Sequence, residues 1–111
     1  MMAYSNLAVS YQSVGLQYVS SVSGNTAYLI RYGKLRILTF FNTVFTAYDN
    51  IIISSLPNDK PIVMTDGAIN SWNNNLNSGR FYITDNGNVC IYTKTADSTA
   101  SFNGVLIWCI R

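Results

Sequence analysis

Apolar side chains in this chain alternate with polar ones at a period of two, and the apolar set is dominated by β-branched and aromatic residues. Glycine, asparagine and aspartate fall between the runs at short intervals. That pattern predicts an all-β fold of antiparallel strands, a sandwich or a barrel. Residues 26–32 and 34–41 flank Gly33 and read as a tight hairpin. Residues 51–54 read as a short strand buried on both faces, stopping at Leu56-Pro57, where the proline ring removes a ladder donor. Pro61 opens a further extended run through Ile62, Val63 and Met64, which ends at Asp66-Gly67.

The clearest hairpin runs from Arg80 to Tyr92 around Asn86-Gly87. Asn-Gly is the preferred pair for a two-residue type I′ turn, in which both central residues take positive φ. Such a turn sets Ile83 opposite Cys90 and Phe81 opposite Tyr92. The closing run 104–110 is expected to return beside it, with Cys109 across from Cys90. In that register one face carries Phe81, Ile83, Cys90, Tyr92, Val105 and Ile107, and the other carries Tyr82, Val89, Ile91, Leu106, Trp108 and Ile110. Small antiparallel domains usually leave one face wet, so a second apolar face requires an opposing sheet or another subunit. Tyr82, Ile91, Leu106, Trp108 and Ile110 are the candidate oligomer interface.

The first twenty residues admit two readings. Tyr4, Leu7, Tyr11, Val14 and Tyr18 follow heptad spacing, as a short coiled neck would. Two Ser-rich heptads broken by Gly15 make a poor helix, however, and Leu7-Val9-Tyr11 and Val14-Leu16-Tyr18 alternate as strands do. The strand reading is favoured. The 111 residues then divide into an N-terminal extension, short neck or first strands (1–23) and one head domain (24–111).

Composition narrows the chemistry. Only 11% of the chain is charged and the net charge is +2, while 13 Asn, 12 Ser and 9 Thr supply most of the polarity. Soluble domains usually carry about 25% charged residues, so amides and hydroxyls replace charge on this surface. Histidine and glutamate are absent. General acid–base catalysis relies on histidine or on paired carboxylates. The five aspartates (Asp49, Asp59, Asp66, Asp85 and Asp97) each stand beside Asn, Gly, Ser or Lys, where Asp accepts local backbone N–H bonds. Without histidine no Ser-His-Asp or Cys-His nucleophile can be assembled within the chain. Gly15, Gly24 and Gly33 are too widely spaced for a phosphate loop. The expectation is a protein that is not an enzyme and uses no cofactor. The most apolar window, 37–48, is interrupted by Thr39, Asn42, Thr43 and Thr46, so no membrane span is expected.

Cys90 and Cys109 fit either a cross-strand disulfide or two small buried hydrophobes made in a reducing compartment, and the second is favoured. No metal site is expected, because only Asp is left to complete one. Segment 70–80 sets Trp72 among Asn73, Asn74 and Asn75, with Arg80 at its end. As a platform, Trp72 offers an apolar face to a sugar ring while the amides read hydroxyls, and Trp and Arg also anchor protein interfaces. As a plug, Trp72 tucks under the loop and the amides only make turns. Eight Tyr and five Phe invite a base-stacking reading, but the basic residues are scattered. Lys34 and Arg36 make at most a small patch on one strand face, so nucleic acid is not an expected partner.

In order along the chain stand the hairpin 26–41, the phrase Ser55-Leu56-Pro57-Asn58-Asp59-Lys60-Pro61, the Asn86-Gly87 hairpin and the closing Gly104-Val105-Leu106-Ile107-Trp108. Over residues 24–111 this layout resembles the small C-terminal head domains of bacteriophage tail and baseplate proteins. The resemblance implies a jelly-roll-like antiparallel β-sandwich and a homotrimer that binds a saccharide or protein on the bacterial surface. It implies assembly in the bacterial cytoplasm and a place on the virion. It assigns no receptor residue, so Trp72, Asn73, Asn74, Asn75 and Arg80 are candidates from the loop argument alone. Two alternatives stand beside it. One is a structural virion protein (a capsid decoration or head fibre) whose partners are other virion proteins, and the other is a monomeric carbohydrate-binding module.

Overall fold

Every regular element is a strand in the computed structural model, which describes residues 8–19, 26–45, 49–71, 79–93 and 101–111. The strands are β1 (Val9–Gly15), β2 (Thr26–Tyr32), β3 (Leu35–Thr43), β4 (Asp49–Ile53), β5 (Thr65–Asp66), β6 (Ala68–Ser71), β7 (Gly79–Ile83), β8 (Val89–Thr93) and β9 (Phe102–Cys109). They form two antiparallel sheets, one ordered β1-β2-β3-β9-β6 and the other β4-β8-β7-β5. The fold is all-β, as the alternation predicts.

One core lies between the sheets. Leu29, Leu38, Phe40, Leu106 and Trp108 of the first meet Ile52, Phe81, Ile83, Val89 and Ile91 of the second. The Phe40 and Phe81 rings touch edge to face across it, with centroids 5.1 Å apart. Gly104 makes room for this contact, since a Cβ there would lie 2.5 Å from the Phe40 ring.

The Arg80–Tyr92 hairpin forms, but not with a two-residue turn. Gly87 has φ +91°, whereas Asn86 stays out of the left-handed region. The Gly87 N–H donates to the Thr84 carbonyl at 3.0 Å, and the Thr84 N–H donates to the Asn88 carbonyl at 2.9 Å. The connection is therefore the three-residue kind, with glycine in the left-handed position. That extra residue moves the register by one: Ile83 faces Val89, Tyr82 faces Cys90 and Phe81 faces Ile91. A one-residue shift exchanges faces, so Phe81, Ile83, Val89 and Ile91 all turn into the core.

The closing strand corrects a second expectation. β8 already has β4 on one side and β7 on the other, so neither of its edges is open to β9. β9 instead fills the gap between β3 and β6, where Cys109 faces Leu35. No disulfide joins Cys109 to Cys90; Cys90 is buried as the thiol reading expects, but Cys109, on the outward phase of β9, is exposed. Ile91, Leu106 and Trp108, expected at an oligomer interface, are 0%, 1% and 3% exposed inside this chain's own core and have no surface left to give a partner.

Smaller differences follow the same logic. Residues 9–15 take the strand reading and pair with β2 along their whole length. In the 51–54 run Ile52 and Ile53 are buried, but Ile51 is partly exposed and Ser54 is exposed. Ile62, Val63 and Met64 form no strand and are exposed; only Pro61 makes a bridge, to Ile110. Arg36 does not share an outer patch with Lys34, because it points inward and is buried.

Candidate functional site

Arg36 is buried because it has a partner. Asp59, in the Leu56-Pro57-Asn58-Asp59 turn, takes a two-pronged contact from Arg31 (Nε to Oδ1 and Nη2 to Oδ2, both 2.9 Å) and a third bond from Arg36 Nε at 2.6 Å. The bonds from Arg31, joined by Arg36, hold the Asp59 carboxyl below its usual range although burial pushes the other way. The same contact raises the Arg31 guanidinium. Trp108 Nε1 donates to the Asp59 carbonyl at 2.7 Å, tying the turn to β9. This cluster closes one end of the core and is structural. Asp66 is likewise committed to Arg80, and Asp85 stands exposed at the hairpin tip. Among the described residues no three His, Cys, Asp or Glu side chains gather as metal ligands would.

The expected receptor loop is only partly in view. Trp72, Asn73, Asn74 and Asn75 lie outside the described residues. Arg80 lies on β7, exposed; its Nη2 is 2.9 Å from Asp66 Oδ1 and its guanidinium sits 4.3 Å from the centre of the Tyr82 ring. Tyr82 is half-buried beneath it on the outer face of the four-stranded sheet. Ile110 is partly buried against the core.

Among the described residues, a broad uncharged surface is formed by the outer face of the five-stranded sheet. Directly paired residues of neighbouring strands share a face, and here they line up in rows. Tyr11, Ile30, Ile37 and Ile107 form one row across β1, β2, β3 and β9. Val9, Tyr32, Leu35 and Cys109 form the row on one side of it. On the other side run Ser13, Tyr28, Thr39, Val105 and Ala68. None of these side chains is charged. Between β1, β2 and β3 the face dips into a hollow of about 430 Å³ lined by Val9, Tyr11, Tyr28, Ile30 and Thr39. The Tyr11 and Tyr28 rings meet there edge to face, 6.3 Å apart.

Tyr11, Tyr28 and Tyr32 are 72%, 46% and 38% exposed. At about 200 Å² per tyrosine, these three alone show water about 300 Å² of largely apolar surface. Val9, Val105 and Ile107 add more, since each is also exposed. The patch therefore reaches the few hundred Å² of the largest apolar patch on a typical single chain, which is often functional. Its signal was present in the sequence, because 26–32 and 35–41 alternate between two largely apolar sets, with Arg31 and Arg36 as the charged exceptions.

Compared with known proteins, the chain matches no family model and no curated sequence.

Proposed function

We propose that this chain is a non-enzymatic binding domain that associates with copies of itself through the outer face of its five-stranded sheet. In this reading it serves as the head of a bacteriophage tail or baseplate protein, a jelly-roll-like homotrimer carried on the virion that attaches to a saccharide or protein of the bacterial surface. The observation that carries the reading is the uncharged face of Tyr11, Ile30, Ile37 and Ile107 with its flanking rows. Such a face loses no ionic solvation when a second copy covers it, and two copies bring no like charges together.

Light scattering on a sizing column across a dilution series tests the assembly, and the expected mass is three times the 12.3 kDa of the chain. A monomer at every concentration removes the self-association and leaves a single-copy binding module, to be screened against glycans. Pull-down by whole bacterial cells and by purified virions tests the role. Retention on cells supports a receptor-binding head. Retention only on capsid or tail makes the chain a structural virion component.

A further inference from the structure

We propose that the far end of the same face holds a subsite for one uncharged sugar residue, with Phe41 as its platform. This rests on the reading of the chain as a binding domain, and it names a place and a ligand class. Phe40 and Phe41 are consecutive on β3, so they cannot both face the core. Phe40 turns in against Phe45 and Phe81, and Phe41 turns out, 71% exposed. The strand does not fray there. Its register with β9 shifts between Phe40 and Thr43, and Asn42 takes φ 57°. The Asn42 N–H donates to Asn103 Oδ1 at 2.8 Å and Ser101 Oγ donates to Asn42 Oδ1 at 2.6 Å, so the bulge that presents Phe41 is pinned.

Beside Phe41 the sheet changes character. Asn103 on β9 is paired with Asn70 on β6, and the two stand on the outer face. With Thr39, Ala68, Val105 and Phe41 they line a hollow of about 210 Å³ without a charged group. Because Asn103 gives its oxygen to Asn42, it presents its NH₂, while Asn70 offers both a donor and an acceptor. A pyranose ring has a C–H face, which suits the Phe41 ring, and hydroxyls at its edge, which suit the amides. A charged sugar would give up water without meeting an opposite charge. The hollow is smaller than the roughly 300 Å³ at which sites for drug-sized ligands begin, which fits one ring.

A second copy of the chain suits this spot poorly, since covering Asn70 and Asn103 with apolar surface would leave their amides without partners. The row through Ile37 lies four residues from Phe41, about 13 Å along β3. A subunit seated on the Ile37 row and the Leu35 row beyond it leaves the hollow open, whereas the third row, through Thr39, Val105 and Ala68, is the hollow's own wall.

The test is an NMR titration of the isotope-labelled full chain with the methyl glycosides of glucose, galactose, mannose, rhamnose and N-acetylglucosamine, and with glucuronate as the charged control. At least one neutral glycoside is expected to shift the side-chain NH₂ signals of Asn70 and Asn103 and the backbone signals of Thr39 and Val105, and to saturate. Phe41→Ala, at an exposed position, should keep fold and mass while weakening that binding about tenfold. Asn70→Ala should weaken it about fivefold. No shift with any neutral glycoside, shifts that survive Phe41→Ala, or a response to glucuronate alone would each overturn the subsite. Cell binding separates the two claims. A chain that binds cells but no neutral glycoside loses the subsite and keeps the receptor role, and one that takes a glycoside at Phe41 but binds no cells does the reverse.

Discussion

The two sheets are built by the same alternation, yet their outer faces differ in kind. On the four-stranded sheet the outer row runs Asp66, Tyr82, Cys90, Ile51, and Arg80 lies over Tyr82 in an ion pair with Asp66. On the five-stranded sheet the three rows carry no charge. Arginine was available to that sheet, since Arg31 and Arg36 are paired on β2 and β3. Both turn toward Asp59, Arg36 at the cost of nearly complete burial. Burying a guanidinium is expensive unless it is paired and hydrogen-bonded, and here Asp59, with the Gly33 and Leu35 carbonyls, supplies the partners. The consequence of this arrangement is an outer face cleared of charge, which is what the proposed contact with a neutral partner needs.

The comparison breaks most visibly at Asp59. Asp59→Ala strands Arg36 inside the domain, and removing one member of a buried pair costs about 3–5 kcal/mol. That is a large part of the 5–15 kcal/mol typical of a whole domain, and urea denaturation should show it. Acid should act the same way. The folded Asp59 carboxyl titrates below its unfolded value, so its contribution is present in full above about pH 4 and is lost as the pH falls through the folded pKa. Melting temperatures between pH 7 and pH 2 should drop in the wild type and vary less in Asp59→Asn. A wild-type curve that stays flat into strong acid would show that the cluster does not hold this end of the core.

A smaller change should act on assembly and spare the fold. Ile107 is exposed in the central outer row, so Ile107→Lys should cost the single chain under about 1 kcal/mol. At a buried contact centre, changes of this kind cost about 2 kcal/mol or more, roughly 30-fold in affinity. Tyr92→Lys makes the matched change on the other sheet, at a similarly exposed residue. Light scattering should find Ile107→Lys dissociated and Tyr92→Lys still assembled. Equal masses for the two variants would mean that the uncharged face is not the contact.

How much of this could be read from the sequence differs by element. Most strands and the hairpins around Gly33 and Gly87 follow from local pattern, but the expected extended run through Ile62, Val63 and Met64 forms no strand. Register did not, because residues 84–88 accommodate a two- or a three-residue connection, and one residue exchanges the faces. The discriminating clue was collective: only the longer turn puts Phe81, Ile83, Val89 and Ile91 on one side. The place of β9 depends on which edges are vacant, a property of the finished sheet that adjacency in sequence does not supply. Arg36 sits at an inward phase of β3, but its partner lies 23 residues away in a turn. Phe40-Phe41 carried a readable signal, since two neighbouring aromatics in one strand must part company.

The weakest prediction concerns the charged face itself. Arg80, Asp66 and Tyr82 form a polar group on the outer face of the four-stranded sheet, and the Arg80 and Asp66 side chains are 46% and 56% exposed. Solvent screens such a pair, so it contributes about 0.2–1 kcal/mol, and the contact with the Tyr82 ring adds at most about as much again. Arg80→Ala should therefore shift stability by about 1 kcal/mol or less and leave the oligomer intact. If Arg80 also meets a receptor, cell binding will fall well beyond that change in stability, and the charged face joins the site. If binding is unmoved, the guanidinium serves only Asp66 and Tyr82, and Arg80 leaves the list of receptor candidates.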